Sequence, residues 1–318
     1  MNILKVRLFG RFQLDHPGHL ETVKVTRIIQ GLLAYLLLHR HRCHPREVLA
    51  GLFWGGYREE RARSCLSTAL WRLRLILEPA KIIKGTYLLT TPSGEVGFNR
   101  QSDHWLDVAV FEEKVGSILD KPLEKFAVQD ATDLQEALSL YSGDLLEGFY
   151  EDWALRERER LRVLQLKGLR HLMRYWKHCG DYEAGLECGR QILAYEPLWE
   201  EIHRDVMRLY VANGQRALAI RQYQACCGIL EKELGIAPME ETTALYYHIL
   251  TNVPSGLIDP GLRQGLGNFN ARETGSLSRV LEELQLTTKT FEKISSQLEG
   301  VIHQLEKCVK KGSSSKVG

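Results

Sequence analysis

The chain has 318 residues, of which 44% are hydrophobic and 26% charged, as is ordinary for a soluble globular protein with room for two domains and a tail. No run of about eighteen apolar residues occurs, so we expect no membrane span. The start, Met1–Arg7, alternates apolar and charged residues, unlike a signal peptide. Seven cysteines without Cys-x-x-Cys spacing favour a reducing cytoplasm over a disulfide framework.

The modest net charge of +2 conceals a strong asymmetry along the chain. Residues 1–105 carry 16 Lys and Arg against 8 Asp and Glu, whereas residues 106–254 carry 17 against 25. Residues 255–318 carry 9 against 7. A basic domain joined to an acidic one indicates that one end meets a polyanion, although chance clustering is the alternative.

The first elements in chain order are strands followed by two helices. Apolar and charged residues alternate from Leu4 to Leu14, which predicts a hairpin or short meander. A helix over about 27–39 follows, with Thr26 as its N-cap. Pro45 opens a second helix, which Gly55-Gly56 ends.

The third predicted helix, about 59–77, carries the functional signal. Leu66, Leu70, Leu73 and Leu77 recur at spacings of 4, 3 and 4, so they share one buried face. The outer face is rich in Arg, Ser and Thr and fits the major groove of DNA, where Arg can bind guanine. The candidate DNA-binding residues are Arg61, Arg63, Ser64, Ser67, Thr68, Trp71, Arg72 and Arg74, together with Arg46 and Lys84. The alternative is a solvated surface helix.

After Pro79, three short apolar stretches over 81–84, 87–90 and 95–98 include a pair joined by the turn residues Pro92-Ser93-Gly94. Three helices followed by a hairpin predict a winged helix. The leading strands make it similar to the response-regulator type, the class of PhoB and OmpR.

A more specific resemblance rests on four segments. They are the opening Leu4–Phe12, the Leu52-Phe53-Trp54 of the second helix, the stretch Arg61–Arg74 and the stretch Asp107–Phe111. Together they resemble the Streptomyces antibiotic regulatory protein family over roughly residues 3–251. The resemblance implies that the third helix reads direct-repeat operators and that the wing touches the adjacent backbone. The family's usual Gly-Tyr pair in the wing is only approximated here, by Gly85-Thr86-Tyr87.

From Val108 onward the sequence predicts helices almost throughout, over about 108–120, 131–141, 152–178, 182–195, 198–213, 215–234 and 239–251. The segment 172–180 aligns with 206–214 at an offset of 34 residues, the tetratricopeptide period. Small residues at Ala184 and Ala217 would allow close helix packing. The segments Glu233–Pro238 and Tyr141–Leu146 resemble the bacterial transcriptional activation domain, which implies dimerisation and contact with RNA polymerase or an effector. A scaffold that only packs against the DNA-binding domain is the alternative.

The last part of the chain divides into a predicted linker over 253–276, an amphipathic helix over 277–309 and a disordered tail over 310–318. Apolar residues of the helix keep coiled-coil spacing with one stammer, which favours self-association; an amphipathic helix that docks on a partner is the alternative. The candidate oligomerisation residues are Leu277, Leu281, Leu284, Phe291, Ile294, Leu298, Val301 and Leu305.

Several site classes find no support in the sequence. His39, His41, Cys43 and His44 lie close together, but their spacing does not favour a tetrahedral metal site. No phosphate-binding loop and no Gly-x-Ser-x-Gly or His-Glu-x-x-His motif occurs, so we expect neither enzymatic activity nor a cofactor.

The sequence therefore predicts a mainly α protein. A winged helix of the OmpR/PhoB type over 1–105 precedes a tetratricopeptide-like repeat domain over 106–252 and a coiled-coil-like helix. The predicted function is that of a cytoplasmic, nucleoid-associated transcription regulator, an activator by the resemblance, which binds double-stranded DNA, RNA polymerase and a second copy of itself. The alternative is a protein-interaction adaptor whose winged helix does not read DNA.

Overall fold

A computed structural model of the protein describes residues 3–16, 25–80, 82–122 and 125–251. Its strands are β1 (Leu4–Arg7), β2 (Gln13–Asp15), β3 (Leu88–Thr90), β4 (Val96–Phe98) and β5 (His104–Leu106). Its helices are α1 (Arg27–Leu38), α2 (Arg46–Trp54), α3 (Glu59–Leu77), α4 (Asp107–Leu119), α5 (Val128–Ser139), α6 (Asp152–Cys179), α7 (Tyr182–Tyr195), α8 (Glu200–Ala212), α9 (Arg216–Leu234) and α10 (Glu240–Thr251). The mainly helical fold predicted from the sequence is confirmed.

The winged helix consists of α1, α2, α3 and the antiparallel hairpin of β3 and β4. A further bridge joins His44, in the turn before α2, to Val96 of β4. One local prediction is wrong: Thr26 stands at the N-cap of α1, but its side chain makes no capping hydrogen bond. Its backbone carbonyl instead accepts from the amides of Ile29 and Gln30.

A second sheet has the strand order β2-β1-β5. The predicted hairpin is present, since β1 and β2 pair antiparallel with Val6 opposite Leu14. The sequence did not predict β5, which pairs parallel to β1 immediately before α4 begins. This pairing brings the start of the chain against the junction that leads into the helical domain.

The Asp107 carboxylate, which is buried, fixes this junction. Its oxygens accept from the backbone amides of Leu8 at 2.8 Å, Phe9 at 2.9 Å and Val108 at 2.7 Å. Burial raises the pKa of the Asp107 carboxyl, while the three amide donors act in the opposite direction. One side chain at the first position of α4 therefore anchors the segment that follows β1.

That segment continues into backbone pairing with the loop between α5 and α6. The amide of Gly10 donates to the Asp144 carbonyl at 2.9 Å, and the amide of Leu146 donates to the Leu8 carbonyl at 2.8 Å. Leu146 has a φ of 51°, in the region that side chains rarely adopt. The Arg158 guanidinium of α6 donates to the carbonyls of Leu145, Leu146 and Phe149 at 2.9–3.0 Å, which satisfies the carbonyls of this bent loop.

The repeat predicted from the 34-residue offset is visible in the backbone. Gly180 and Gly214 end α6 and α8 with φ values of 79° and 72°. The amide after each glycine donates to a carbonyl five residues earlier, from Asp181 to Trp176 at 3.0 Å and from Gln215 to Tyr210 at 2.8 Å. The two helix pairs α6–α7 and α8–α9 therefore turn by the same device, which requires a left-handed glycine.

The residues that permit close packing are not the predicted ones. Ala184 is half-buried and Ala217 is exposed. The close approach of α7 to α8 depends on Gly189, where an added Cβ would lie 2.5 Å from a methyl group of Val206. Residue size alone therefore does not identify which small residue lies on the helix face that contacts the neighbouring helix.

Residues Met1–Ile249 form one compact unit. The division after residue 105 stays a prediction, as do the linker, the amphipathic helix and the tail, which lie outside the described residues. No helix in the described part of the chain is both long enough and apolar enough to cross a membrane.

We expect Gly189→Ala to lower the free energy of unfolding by about 1–3 kcal/mol, because its methyl group would overlap Val206 and force α7 from α8. Gly228→Ala is the matched control, since its Cβ would meet nothing within 4 Å in the exposed middle of α9. That control should stabilise by about 0.4–1 kcal/mol. Urea unfolding followed by circular dichroism measures both, and equal effects would contradict the packing described.

Stability should also fall in mild acid through His203. This histidine is buried; its Nε2 donates to the Pro197 carbonyl at 2.9 Å and its Nδ1 lies 2.7 Å from Nε2 of Gln222. Burial lowers the pKa of His203 below its ordinary value of 6.5, so the unfolded chain takes up the proton first. The stabilisation is therefore complete above that ordinary value and is lost as the pH falls through the folded-state pKa.

The thermal midpoint between about pH 7.5 and pH 5 should consequently decline less in His203→Gln than in the parent protein. His178→Gln, at an exposed position in the last turn of α6, is the control and should decline as the parent does. An identical decline in all three proteins would contradict the role of His203.

Candidate nucleic-acid interface

The inward face of α3 is fixed by apolar packing. Leu66, Leu70, Leu73 and Leu77 are all buried, as the spacing predicted, and Ala62 and Ala69 complete this face. A fully buried leucine side chain contributes about 1.5–3 kcal/mol, so rotating the helix about its axis would be costly. The opposite side of α3 is therefore held toward solvent.

The outward face of α3 has the composition predicted for it. Its exposed polar and aromatic side chains are Arg61, Arg63, Ser64, Ser67, Thr68, Trp71 and Arg72, and Leu75 is exposed as well. The indole of Trp71 is 60% exposed, which is unusual for so large an apolar group. Acidic residues on α3 are confined to Glu59 and Glu60 in its first turn, where the helix dipole favours them.

The three exposed arginines differ in how firmly they are held. Arg61 lies with its Cζ 4.7 Å from the ring centroid of Tyr57, a cation–π arrangement. Arg63 forms an ion pair with Glu59 at 2.6 Å and a longer one with Glu47 at 3.8 Å. Arg72 makes no hydrogen bond or ion pair within the part of the chain described here, so its guanidinium fork is available to a ligand.

The hydroxyl groups on this face bond locally. Ser67 Oγ donates to the Arg63 carbonyl at 2.9 Å, and Thr68 Oγ1 donates to the Ser64 carbonyl at 3.1 Å. Arg46, the first residue of α2, donates from Nη2 to Ser67 Oγ at 2.7 Å. The structure therefore brings Arg46 beside α3, and the N-terminus of α2 borders the same face.

Arg74 occupies a different position from the other predicted residues. It is half-buried and donates to Thr90 Oγ1 of β3 at 2.7 Å and to Glu78 at 3.4 Å. Its guanidinium therefore joins α3 to the wing. Lys84 is exposed in the loop between α3 and β3 and forms no ion pair with another described residue.

Glu78 is a residue of this region whose structural role the sequence analysis did not predict. Its side chain is almost completely buried, and it accepts from the amides of Tyr87 and Leu88 at 2.9 Å and of Gly85 at 3.1 Å. An acidic residue at the C-terminal end of a helix opposes the helix dipole, and this was the available signal. Glu78 fixes where the wing begins relative to α3.

The wing itself is short and carries little charge. Its turn has Gly94 at a φ of 87°, and the Thr91 hydroxyl lies 2.8 Å from that of Ser93. Glu95 is the sole charged residue between Leu88 and Phe98. Any contact from this hairpin to a polyanion must therefore come from hydroxyl and amide groups.

The histidines near the end of α1 pack against an aromatic ring and do not form a group of metal ligands. The ring of His39 stacks on Tyr35 with centroids 4.3 Å apart, and its Nδ1 donates to the Tyr35 carbonyl at 3.0 Å. His44 is buried 5.1 Å from the same ring. No group of three potential metal ligands is assembled within the described ranges.

Comparison with known proteins finds a matching domain family and related regulatory proteins. Residues 106–250 match the family model of the bacterial transcriptional activator domain. Transcriptional regulatory protein MoaR1 of Mycobacterium bovis is 26% identical over 271 residues, which span 79% of this chain and 83% of the relative. Regulatory protein AfsR of Streptomyces coelicolor is 26% identical over 227 residues, 71% of this chain but 22% of AfsR.

A solved structure has the same fold. EmbR of Mycobacterium tuberculosis, determined in complex with a low-affinity phosphopeptide, superposes with a TM-score of 0.62. The match covers 86% of this chain and 71% of EmbR at 20% identity. Residues 106–250 thus match the bacterial transcriptional activator domain, and the chain is similar to transcription regulators over most of its length.

Proposed function

We propose that this protein binds specific sequences of double-stranded DNA by placing α3 in the major groove. The observation that carries the proposal is the exposed face of α3, where hydroxyl groups, Trp71 and Arg72, which has no ion pair with the described residues, lie opposite a buried leucine stripe. Arginine forks suit the N7 and O6 atoms of guanine, hydroxyl groups suit phosphates, and a flat aromatic ring suits a sugar or a thymine methyl group.

The positions of the other basic residues support the same orientation. Arg46 lies beside α3 at the N-terminus of α2, and Lys84 lies in the loop that leads to the wing. These two cations lie on separate elements outside α3, and we assign them contacts to the phosphate backbone. Arg74 is assigned a positioning role, because its contacts to Thr90 and Glu78 hold the wing against α3.

Promoter direct repeats are the proposed operator, and activation is the proposed outcome. Both come from the resemblance of the chain to the Streptomyces antibiotic regulatory protein family. The helical domain would contact RNA polymerase, and residues 277–305 would support dimerisation. Exposed apolar side chains near the end of the repeats favour a partner there; they are Leu234, Ile236 and Met239. A protein with these partners acts in the cytoplasm, at the nucleoid.

The adaptor alternative makes different demands on α3. The outward face of α3 carries three arginines and no acid beyond its first turn, a cationic face that an adaptor does not need. Electrostatic binding to DNA instead requires such a face, and it predicts an affinity that falls linearly with salt on logarithmic axes.

The test uses a duplex selected by the protein from a randomised pool and measures the dissociation constant at several salt concentrations. Arg72→Ala should lose about 1–3 kcal/mol of binding free energy and relax specificity at one base pair. Arg63→Ala should lose less, because Arg63 must first leave Glu59 to reach a base. Arg221→Ala is the control, since Arg221 is an exposed arginine without an ion pair in the described part of α9.

Unchanged binding by both Arg72→Ala and Arg63→Ala, with full specificity, would remove α3 as the reading element. An affinity that does not respond to salt would count against DNA as the partner altogether. Circular dichroism of each variant verifies that the helices remain folded.

A further inference from the structure

A cleft of about 330 Å³ lies where the winged helix meets the helical domain. The end of α1 and the turn after it contribute Arg40 and His41, and the loop between β4 and β5 contributes Arg100. From the other side, α4 contributes Glu112 and α6 contributes Arg160. The cleft is separate from the outward face of α3, since none of its lining residues belongs to that face.

The carboxylates of the cleft are already engaged. Glu112 accepts from Arg40 through one oxygen at 3.3 Å and from Arg160 through the other at 2.5 Å. Arg160 also donates to Glu157, with Nη2 at 2.8 Å from the nearer oxygen. These ion pairs hold the guanidinium groups of Arg40 and Arg160 in place, so the cleft is organised before any ligand enters.

The groups that remain unengaged are cationic or donating. Neither Arg100 nor His41 makes a hydrogen bond or an ion pair to another residue of the described ranges, and both are exposed. Three guanidinium groups face two carboxylates, so the cleft keeps an excess positive charge even with its histidines neutral. A ligand that completes this arrangement must bring negative charge.

We propose that this cleft binds a small anionic molecule that carries phosphate or carboxylate groups. The planar guanidinium of Arg100 suits two-pronged contact with either group, and Arg40 and Arg160 provide a prearranged positive field behind it. A volume of about 330 Å³ lies at the small end of the range for ligand pockets. Such a molecule would join the loop after β4 to α6, and so would link the winged helix to the helical domain.

The site stands on its own geometry and does not depend on the proposed reading of DNA. Isothermal titration of the full chain with pyrophosphate and with citrate, at matched ionic strength in sodium chloride, tests it directly. Saturable binding of pyrophosphate alone identifies a phosphate-bearing ligand, and binding of citrate alone identifies a carboxylate-bearing one. Both results support the cleft as an anion site, provided that the variants below respond as expected.

Arg100→Ala should weaken binding by about tenfold or more, because it removes charge-assisted hydrogen bonds. The fold should tolerate this change, since Arg100 has no ion pair to lose among the described residues. Arg221→Ala and Arg72→Ala should bind as the parent protein does, because both lie outside the cleft. His41→Ala should weaken binding independently of Arg100.

Two outcomes would overturn the proposal. One is the absence of saturable heat with either anion. The other is binding that survives both Arg100→Ala and His41→Ala, and in particular binding that Arg72→Ala abolishes, because the anion would then sit on α3. That second result would leave the proposed DNA reading intact, so the failures of the two proposals are distinguishable.

Discussion

The buried leucine stripe of α3 is the constraint on which the interface depends. Leu66, Leu70, Leu73 and Leu77 fit into the core of the winged helix, and their burial sets the rotation of the helix about its own axis. Everything outward on α3 follows from that rotation, including the exposure of Arg72 and Trp71. The buried Glu78 carboxylate then sets where the wing begins, so apolar packing and one acid together arrange the whole surface.

The second organising feature is the seam between the winged helix and the helical domain. A chain of backbone hydrogen bonds runs from β1 through Leu8 and Gly10 to the loop before α6, and Asp107 and Arg158 hold its two sides. The start of the chain and the loop before α6, more than 130 residues apart in sequence, thus meet in one place. The cationic cleft also lies between the winged helix and the helical domain, where a bound anion would link the two parts.

Much of this arrangement could be predicted from the sequence, because it depends on local patterns. The bounds of α3 and the two matched glycine turns follow from spacing and from residue type alone. The rest depends on contacts that are distant in sequence. β5 becomes a strand by pairing with β1, and the Asp107 carboxylate accepts hydrogen bonds from amides about a hundred residues away in sequence. Gly189 is critical only because Val206 approaches it, and no periodicity within α7 contains that information.

Exchange of residues on the outward face of α3 tests most directly the claim that this face selects the DNA sequence. The outward residues Arg61, Ser64, Thr68 and Arg72 would be replaced by those at the aligned positions of MoaR1 from Mycobacterium bovis, with the inward leucines kept. Selection from a randomised duplex pool would then compare the preferred sequences of the parent, the hybrid and that relative. The account predicts that the hybrid selects the relative's sequence. Selection of the parent's sequence by a folded hybrid would contradict it.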